Sequence, residues 1–378
     1  MINKELLKKL CLAFGPSGNE DEVRGIIIEE IKNKADDYYV DKVGNVIAFK
    51  KGAKTPGKKR LFAAHMDEVG FMVTSVDGEG YLKVKPVGGI DNAVVLGKQA
   101  TVGEKRLTAV FGGKPLHLLN DSEWRSARSN IYLDIGVLKK DKNDKNKDTD
   151  KDKDRDRDTK EEKKGGDKNG NGNDKPEEQK PVEIGEFAVF KSEYLEFGQN
   201  KVKSKAIDDR FGCYILIEMI KAELRFDSWF AFTICEELGL RGAKTAAHII
   251  RAERAVVFEA TTAGDIYDKH DEFDTDAKNK ICELGKGAVI SLMDRSTIYN
   301  RGLIKLALET AEAKNIKAQL KQSVSGGNDA GAIHKAGAGA ETLAISLPTR
   351  YIHSPSCVAD YGDMEECLKL ALEIEKVM

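Results

Sequence analysis

Four runs of apolar residues, Leu61 to Ala64, Trp229 to Cys235, Ala255 to Phe258 and Thr342 to Leu347, each have the length of a single buried β-strand. A segment with no polar face must be covered on both sides, as strands of a parallel sheet are. Helical patterns lie between and after the later runs, at Asp209 to Lys221, Arg241 to Ile250, Leu303 to Ala313 and Met364 to Val377. Buried strands alternating with helices predict an α/β fold, a mostly parallel sheet with helices on both faces. The first fifty residues add a helix, a turn at Gly15-Pro-Ser-Gly18, a second helix and a hairpin. Ser17 and Glu20 have capping-box spacing, and Val23, Ile26, Ile27 and Ile31 mark the apolar face of the second helix.

From about Glu68 to Gly198 the texture changes. Short segments of alternating polarity, such as Tyr81 to Val87, Gln99 to Val102 and Ile131 to Ile135, stand among many glycines, and no helical period appears. The expected organisation is a small β domain, 68–198, inserted into a discontinuous α/β domain made of 1–67 and 199–378. Within the insert, Lys139 to Lys180 carries no apolar side chain, only 15 Lys and Arg, 14 Asp and Glu and a few neutral residues. Such a run can bury nothing to offset the entropy of ordering it, so 139–180 is expected to be a disordered loop between two strands.

Charge and cysteine usage exclude several roles. The 61 basic and 63 acidic residues leave a formal net charge of −2. That charge creates no extended field of one sign, so neither nucleic acid nor a membrane surface is an expected partner. No stretch approaches the roughly 18 apolar residues of a membrane span. The six cysteines, at 11, 213, 235, 282, 357 and 367, include no CxxC pair, and a chain of this length needs no disulfide framework. The first fourteen residues contain no signal-peptide core, so a reducing cytoplasm is the expected location.

The reactive side chains gather where the apolar runs end. His65-Met-Asp67 follows the first run, Glu236-Glu237 the second, Glu259 the third and Arg350-Tyr-Ile-His353 the fourth. Open α/β sheets bind ligands at the carboxyl ends of their strands, so four distant segments deliver imidazoles and carboxylates to one edge. Asp208-Asp209, just before an apolar helix, adds two carboxylates, one of which could cap that helix. Taken singly, each has an ordinary explanation as a satisfied core histidine, a helix cap or an acidic helix start. Together they would repel one another unless cations neutralise them. Oxygen and imidazole donors without cysteine suit catalytic zinc, cobalt or manganese better than a structural zinc.

Five segments, His65-Met-Asp67-Glu-Val-Gly, Lys205-Ala-Ile-Asp208-Asp209-Arg, Cys235-Glu236-Glu237-Leu-Gly-Leu-Arg-Gly, Gly326-Gly-Asn-Asp-Ala-Gly and Arg350-Tyr-Ile-His353-Ser-Pro, closely resemble, in the same order, the M42 family of metallo-aminopeptidases. That family includes the tetrahedral and glutamyl aminopeptidases, and the likeness spans nearly the whole chain apart from the charged run. The resemblance implies an enzyme that removes N-terminal residues from peptides, with two divalent metal ions per subunit, zinc or cobalt, with manganese also compatible. His65 and Glu259 would bind one ion, Glu237 and His353 the other, and Asp208 both. Asp67 would orient His65, and Glu236 would be the general base. Gly327, Asp329 and Arg350 are expected to contact substrate. The resemblance further implies that the insert is a PDZ-like dimerisation domain and that dimers build a homo-oligomer, up to a hollow dodecamer. Two positions depart from the family pattern, Glu259 where Asp is usual and Asn328 where Thr is common.

The same metals would also serve a carboxypeptidase or an N-acyl amino-acid deacylase, and a decayed site would leave a peptide-binding scaffold. Every position that the chemistry needs still carries a capable side chain, which disfavours the scaffold. A glycanase is disfavoured because a sugar cleft needs stacking surface, and Trp124 and Trp229 are the two tryptophans. Asp167 to Glu178 has the spacing of a calcium-binding loop, yet Asp174 takes the usual apolar position, Pro176 restricts the backbone and no helical pattern flanks it, so a chance match is expected. His117, His248, His270 and His334 are expected to be structural or superficial. The Gly326 loop lacks the Lys-Ser/Thr of a nucleotide cradle.

Overall fold

The computed structural model describes residues 1–113, 131–136, 182–266, 281–324 and 326–378. The charged run, the calcium-loop spacing, His117, Trp124 and His270 lie outside the described residues. The chain opens with helices α1 (Lys4–Leu12) and α2 (Asp21–Ile31), the hairpin β1 (Asp37–Val40) and β2 (Val46–Lys50), and strand β3 (Arg60–His65). Asn3 caps α1, its Oδ1 accepting from the Leu6 N–H at 3.2 Å. The capping box expected at Ser17 does not form. α2 begins behind Glu20, which makes no side-chain cap, and Ser17 Oγ donates to Asp67 Oδ2 at 2.6 Å instead. Asp67 is completely buried, where an unpaired carboxylate oxygen costs more than a helix start that water can reach.

Strands β4 (Gly70–Val76), β5 (Leu82–Val87), β6 (Gln99–Val102), β7 (Leu107–Gly112), β8 (Tyr132–Asp134) and β9 (Phe187–Phe190) close into an antiparallel barrel in the order β4-β5-β8-β7-β6-β9. Its centre is filled by Phe71, Phe111 and Phe190, whose ring centroids lie 4.6 to 5.6 Å apart. Inward positions such as Ala109 and Phe111 alternate with exposed Thr108 and Val110, the two-residue period of a strand with one face buried.

The chain continues through β10 (Leu195–Phe197), β11 (Lys201–Ser204), α3 (Ile207–Lys221), β12 (Ser228–Thr233), α4 (Arg241–Ile250), β13 (Arg254–Thr262), β14 (Ala288–Ile290), α5 (Arg301–Ala313), β15 (Ala318–Leu320), α6 (Ala330–Ile333), β16 (Glu341–Thr349), β17 (Cys357–Asp360) and α7 (Tyr361–Val377). An eight-stranded sheet runs β1-β2-β12-β3-β13-β16-β14-β15, and β10, β11 and β17 form a small sheet of their own. The four central strands β12, β3, β13 and β16 are mutually parallel, as the apolar runs predict. The flanks are mixed: β2 is antiparallel to both its neighbours and β14 is antiparallel to β16. Every residue of β3 is buried, as are all but the two ends of β13 and all but the first residue of β16, so both faces of the centre are covered. α3 packs with α1, α2 and α7 on β3 and β13, while α4 and α6 pack together against β12, β13 and β16.

Two features of this sheet shape the site. The β3–β13 ladder stops at Ala63 and Val257, whereas β13 and β16 stay paired as far as Thr262 and Thr349. β13 therefore runs on with one edge bare, which opens a crevice at the carboxyl end of β3. At the opposite end Arg60, fully buried, donates to Ser228 Oγ at 2.9 Å, to Glu375 Oε1 at 2.8 Å and to the Glu375 carbonyl at 2.6 Å, which fastens α7 to the sheet. All six cysteines are free and buried. Among the described residues no helix is long and apolar enough to cross a membrane.

Candidate metal centre and active site

The crevice collects His65, Asp208, Glu236, Glu237, Glu259 and His353. His65 is the last residue of β3, and continuing the β3–β13 register two places past the final rung brings it opposite Glu259. Its Nε2 lies 3.3 Å from Glu259 Oε1 and 3.2 Å from Asp208 Oδ1. His353 reaches in from the loop after β16, with Nε2 3.2 Å from Asp208 Oδ2 and 3.0 Å from Glu237 Oε1. The two oxygens of Asp208 thus face two groups, His65 with Glu259 on one side and His353 with Glu237 on the other, each compact enough to hold an ion, and His65 with Glu236 and Glu237 makes a third compact set that links them. Glu259 lies inside β13 rather than beyond its end, because pairing with β16 carries the strand on through Thr262.

Surrounding hydrogen bonds fix these side chains. Asp67 Oδ1 lies 3.3 Å from His65 Nδ1 and accepts from the Glu236 N–H at 3.0 Å; its Oδ2 accepts from the Glu237 N–H at 3.2 Å and from Ser17. Asp209 has a different task from Asp208: its carboxylate accepts from Gly212 N–H at 2.9 Å, within the first turn of α3, and from His65 N–H at 3.3 Å. His353 Nδ1 donates to the Gly89 carbonyl at 2.7 Å. Three non-glycine residues here have left-handed backbones, Ala206 at φ 52°, Cys235 at φ 50° and His353 at φ 59°. Such strain costs on the order of 1 kcal/mol per residue and persists where surrounding contacts dictate it, as at functional sites.

Four carboxylates face two imidazoles in this crevice. Burial pushes the carboxyls of Glu236, Glu237 and Glu259 above their usual range, and for Glu259 the neighbouring Asp208 adds to the rise. Burial would raise Asp208 too, but contacts from His353 and His65 outweigh it and hold that carboxyl low. Burial works against charge on both imidazoles, yet Asp208 and Glu237 hold His353 up to about 12, and Glu259, Asp208 and Asp67 raise His65 well above its usual value. The donor set draws positive charge strongly into its centre, the role a divalent cation fills. Among the described residues, Glu259 Oε2 is buried with no hydrogen-bond partner, as suits an oxygen kept for a metal. Oxygen and imidazole donors in this number fit zinc, cobalt or manganese.

A model of the M42 glutamyl aminopeptidase family matches residues 44–147 and 169–370. This chain belongs to the M42 family. A putative aminopeptidase of Acetivibrio thermocellus is 35% identical to this M42 peptidase over 98% of this chain and 97% of its own. The crystal structure of a TET aminopeptidase from a marine sediment Thaumarchaeota archaeon superposes with a TM-score of 0.82 at 31% identity, covering 99% of this chain and 96% of that one. The Pyrococcus horikoshii TET1 peptidase, which can assemble into a tetrahedron or a large octahedral shell, gives 0.76 at 31% identity and 99% of both chains. The M42 chain is accordingly an aminopeptidase of a metal-dependent family.

Beside the metal groups the M42 site opens into a cavity of about 220 Å³ lined by Glu236, Thr262, Ser291, Asp294, Lys321, Gly327 and Asn328, among others. The three residues expected to contact substrate have different fates. Gly327 lines the cavity. Asp329 is buried behind it, 1% exposed, with Oδ2 bonded to Thr233 Oγ1 at 2.5 Å. Arg350 points elsewhere and grips Asp265 with two bonds of 2.7 and 2.8 Å; a fork-shaped guanidinium is satisfied best by such a two-pronged carboxylate. Asn328 Nδ2 donates to Tyr299 Oη at 3.0 Å, and Tyr299 donates to Asp294 at 2.5 Å, so Tyr299 ties together two residues of the cavity wall. Sequence reasoning missed Ser17, Gly89, Asp294 and Lys321. The first two act through a lone hydroxyl and a backbone carbonyl, which leave no pattern in a sequence. His248 and His334 stay clear of the site, His334 Nδ1 bonding the Ala330 carbonyl of its own turn at 2.8 Å.

Proposed function

We propose that this M42 peptidase releases N-terminal residues from peptides with a free amino terminus by a two-metal mechanism. The observation that carries the reading is the division of Asp208, one oxygen toward His65 and Glu259 and the other toward His353 and Glu237. His65 and Glu259 would hold one divalent ion, His353 and Glu237 the other, with Asp208 shared. When bound, such a pair polarises the scissile carbonyl and acidifies water. Asp67 orients the His65 imidazole and, through the Glu236 and Glu237 N–H groups, pins the turn that carries both glutamates. On that turn Glu237 reaches His353 while Glu236 lines the cavity, their carboxylates still close enough to meet beside His65. Glu236 takes a proton from water and hands it to the departing amine, a task suited to a carboxyl that burial has raised. Gly327 would let the substrate backbone approach closely, with Asp329 and Arg350 acting only from behind the cavity wall.

The reading extends to the whole chain. Residues 1–67 and 199–378 form the discontinuous catalytic domain and 68–198 the dimerisation insert, which the family resemblance makes PDZ-like, and copies assemble into a homo-oligomer as the TET relatives do. Six free cysteines favour a reducing cytoplasm. The experiment is Glu236→Gln, assayed on a free-N-terminus peptide, its N-acetylated form and an N-acyl amino acid. The wild type should cleave the free peptide alone. The variant should keep its metal and lose about 10²- to 10⁴-fold in kcat. Cleavage of the blocked compounds instead would make the enzyme a carboxypeptidase or deacylase, and near-normal turnover by the variant would remove Glu236 from its role.

A further inference from the structure

We infer that the Gly88–Gly89 turn of the β insert positions one of the two metal sites, the one formed by Glu237 and His353, and leaves the other untouched. This rests on the two-metal reading above and adds a residue-level dependence of catalysis on the insert. The two histidines are oriented from different parts of the chain. His65, 1% exposed, has its Nδ1 within reach of Asp67, two residues away. His353, with 31% of its side chain exposed, donates Nδ1–H to the carbonyl of Gly89, just beyond β5 of the barrel. That bond turns Nε2 toward Asp208 and Glu237 and would leave its lone pair there for an ion that displaces the proton. Gly88 lies beside the other ligand of the same site. A Cβ added there would lie 3.1 Å from Glu237 Cβ and 2.9 Å from Val69 Cγ1, and its φ of +90° is one that other residues rarely adopt. The turn therefore sets His353 by a hydrogen bond and leaves no room for a side chain beside Glu237, whereas among the described residues its hydrogen bonds reach neither His65 nor Glu259.

The consequence is selective. Groups that orient a metal ligand are worth about 10- to 100-fold in metal affinity, so displacing this turn should weaken one ion and spare the other. The test is zinc stoichiometry and affinity by titration calorimetry and elemental analysis, on wild type and Gly88→Ala, with folding followed by circular dichroism. Gly97→Ala is the control, since Gly97 has a positive φ of +74° in the same insert but, among the described residues, no neighbour within 4 Å of a built Cβ. Wild type and Gly97→Ala should each bind two ions. Gly88→Ala should keep one at unchanged affinity and bind the second 10-fold or more weakly. If Gly88→Ala does not fold, the same change in a Val69→Ala background removes the clash with Val69 and leaves that with Glu237. Two ions at wild-type affinity in the folded variant, or equal weakening of both, would overturn the inference. A wild type that binds fewer than two ions would instead overturn the two-metal reading itself.

Discussion

Asp208 and Asp209 are chemically alike and adjacent, yet one faces both imidazoles while the other caps the first turn of α3 and holds the His65 backbone. The sequence shows that two carboxylates precede a helix; only the direction of each side chain assigns the work. Reactive residues are legible because imidazoles and carboxylates at the ends of apolar runs are rare, while their supports are ordinary residues brought from far away. Asp329 shows what direction adds. Thr233 Oγ1 lies 3.2 Å from the Ala64 carbonyl and 2.5 Å from Asp329 Oδ2. A hydroxyl has one proton to share between these two acceptors, a competition that a carboxyl keeping its own proton relieves. Burial pushes that carboxyl up to about 6, and its other oxygen has no partner among the described residues. With the folded value above the unfolded value of 3.8, the folded state binds the extra proton, and stability falls as pH rises between the two. Asp329→Asn cannot titrate and keeps the donor. Equilibrium unfolding of metal-free protein should show the variant gaining on wild type from pH 4 to 6, by up to about 3 kcal/mol, and levelling above. A difference that does not vary with pH would refute the protonated Asp329.

Among elements, helices were the easiest to read, since the apolar period of α4 marks Arg241 to Ile250 at both ends. Strand ends were harder. The apolar run of β13 stops at Phe258, but Glu259 to Thr262 remain in the strand because backbone pairing with β16 is indifferent to side-chain polarity. That extension carries Glu259 into the crevice. Nor does periodicity reveal the tie between α7 and the start of β3, which depends on a buried ion pair with both side chains at 1% exposure or less. Glu375 also accepts from the Arg225 and Phe226 N–H groups at 3.0 and 2.9 Å. Removing one partner of a buried pair strands the other charge, so Glu375→Ala should cost about 3 to 5 kcal/mol in urea unfolding, and replacing Arg60 and Glu375 together with Met and Leu should cost much less. Equal losses would show that the pair itself, not the stranded charge, sets the stability.

The whole molecule joins a mixed α/β sheet to a closed barrel. The change of texture near Glu68 is visible in the sequence, whereas closure is not, because it depends on which strands meet and β6 pairs with β9 some ninety residues later. Oligomeric assembly is tested by light scattering. Twelve copies of a 41.7 kDa chain would weigh about 500 kDa, and deleting 139–180 should leave the number of subunits unchanged; a monomer would contradict the assembly. The central claim concerns metal. Elemental analysis of the wild-type chain, stripped and reloaded with zinc or cobalt, should find two ions per subunit, falling to one in Glu259→Ala; one ion or none in the wild type, or two in the variant at unchanged affinity, would contradict it.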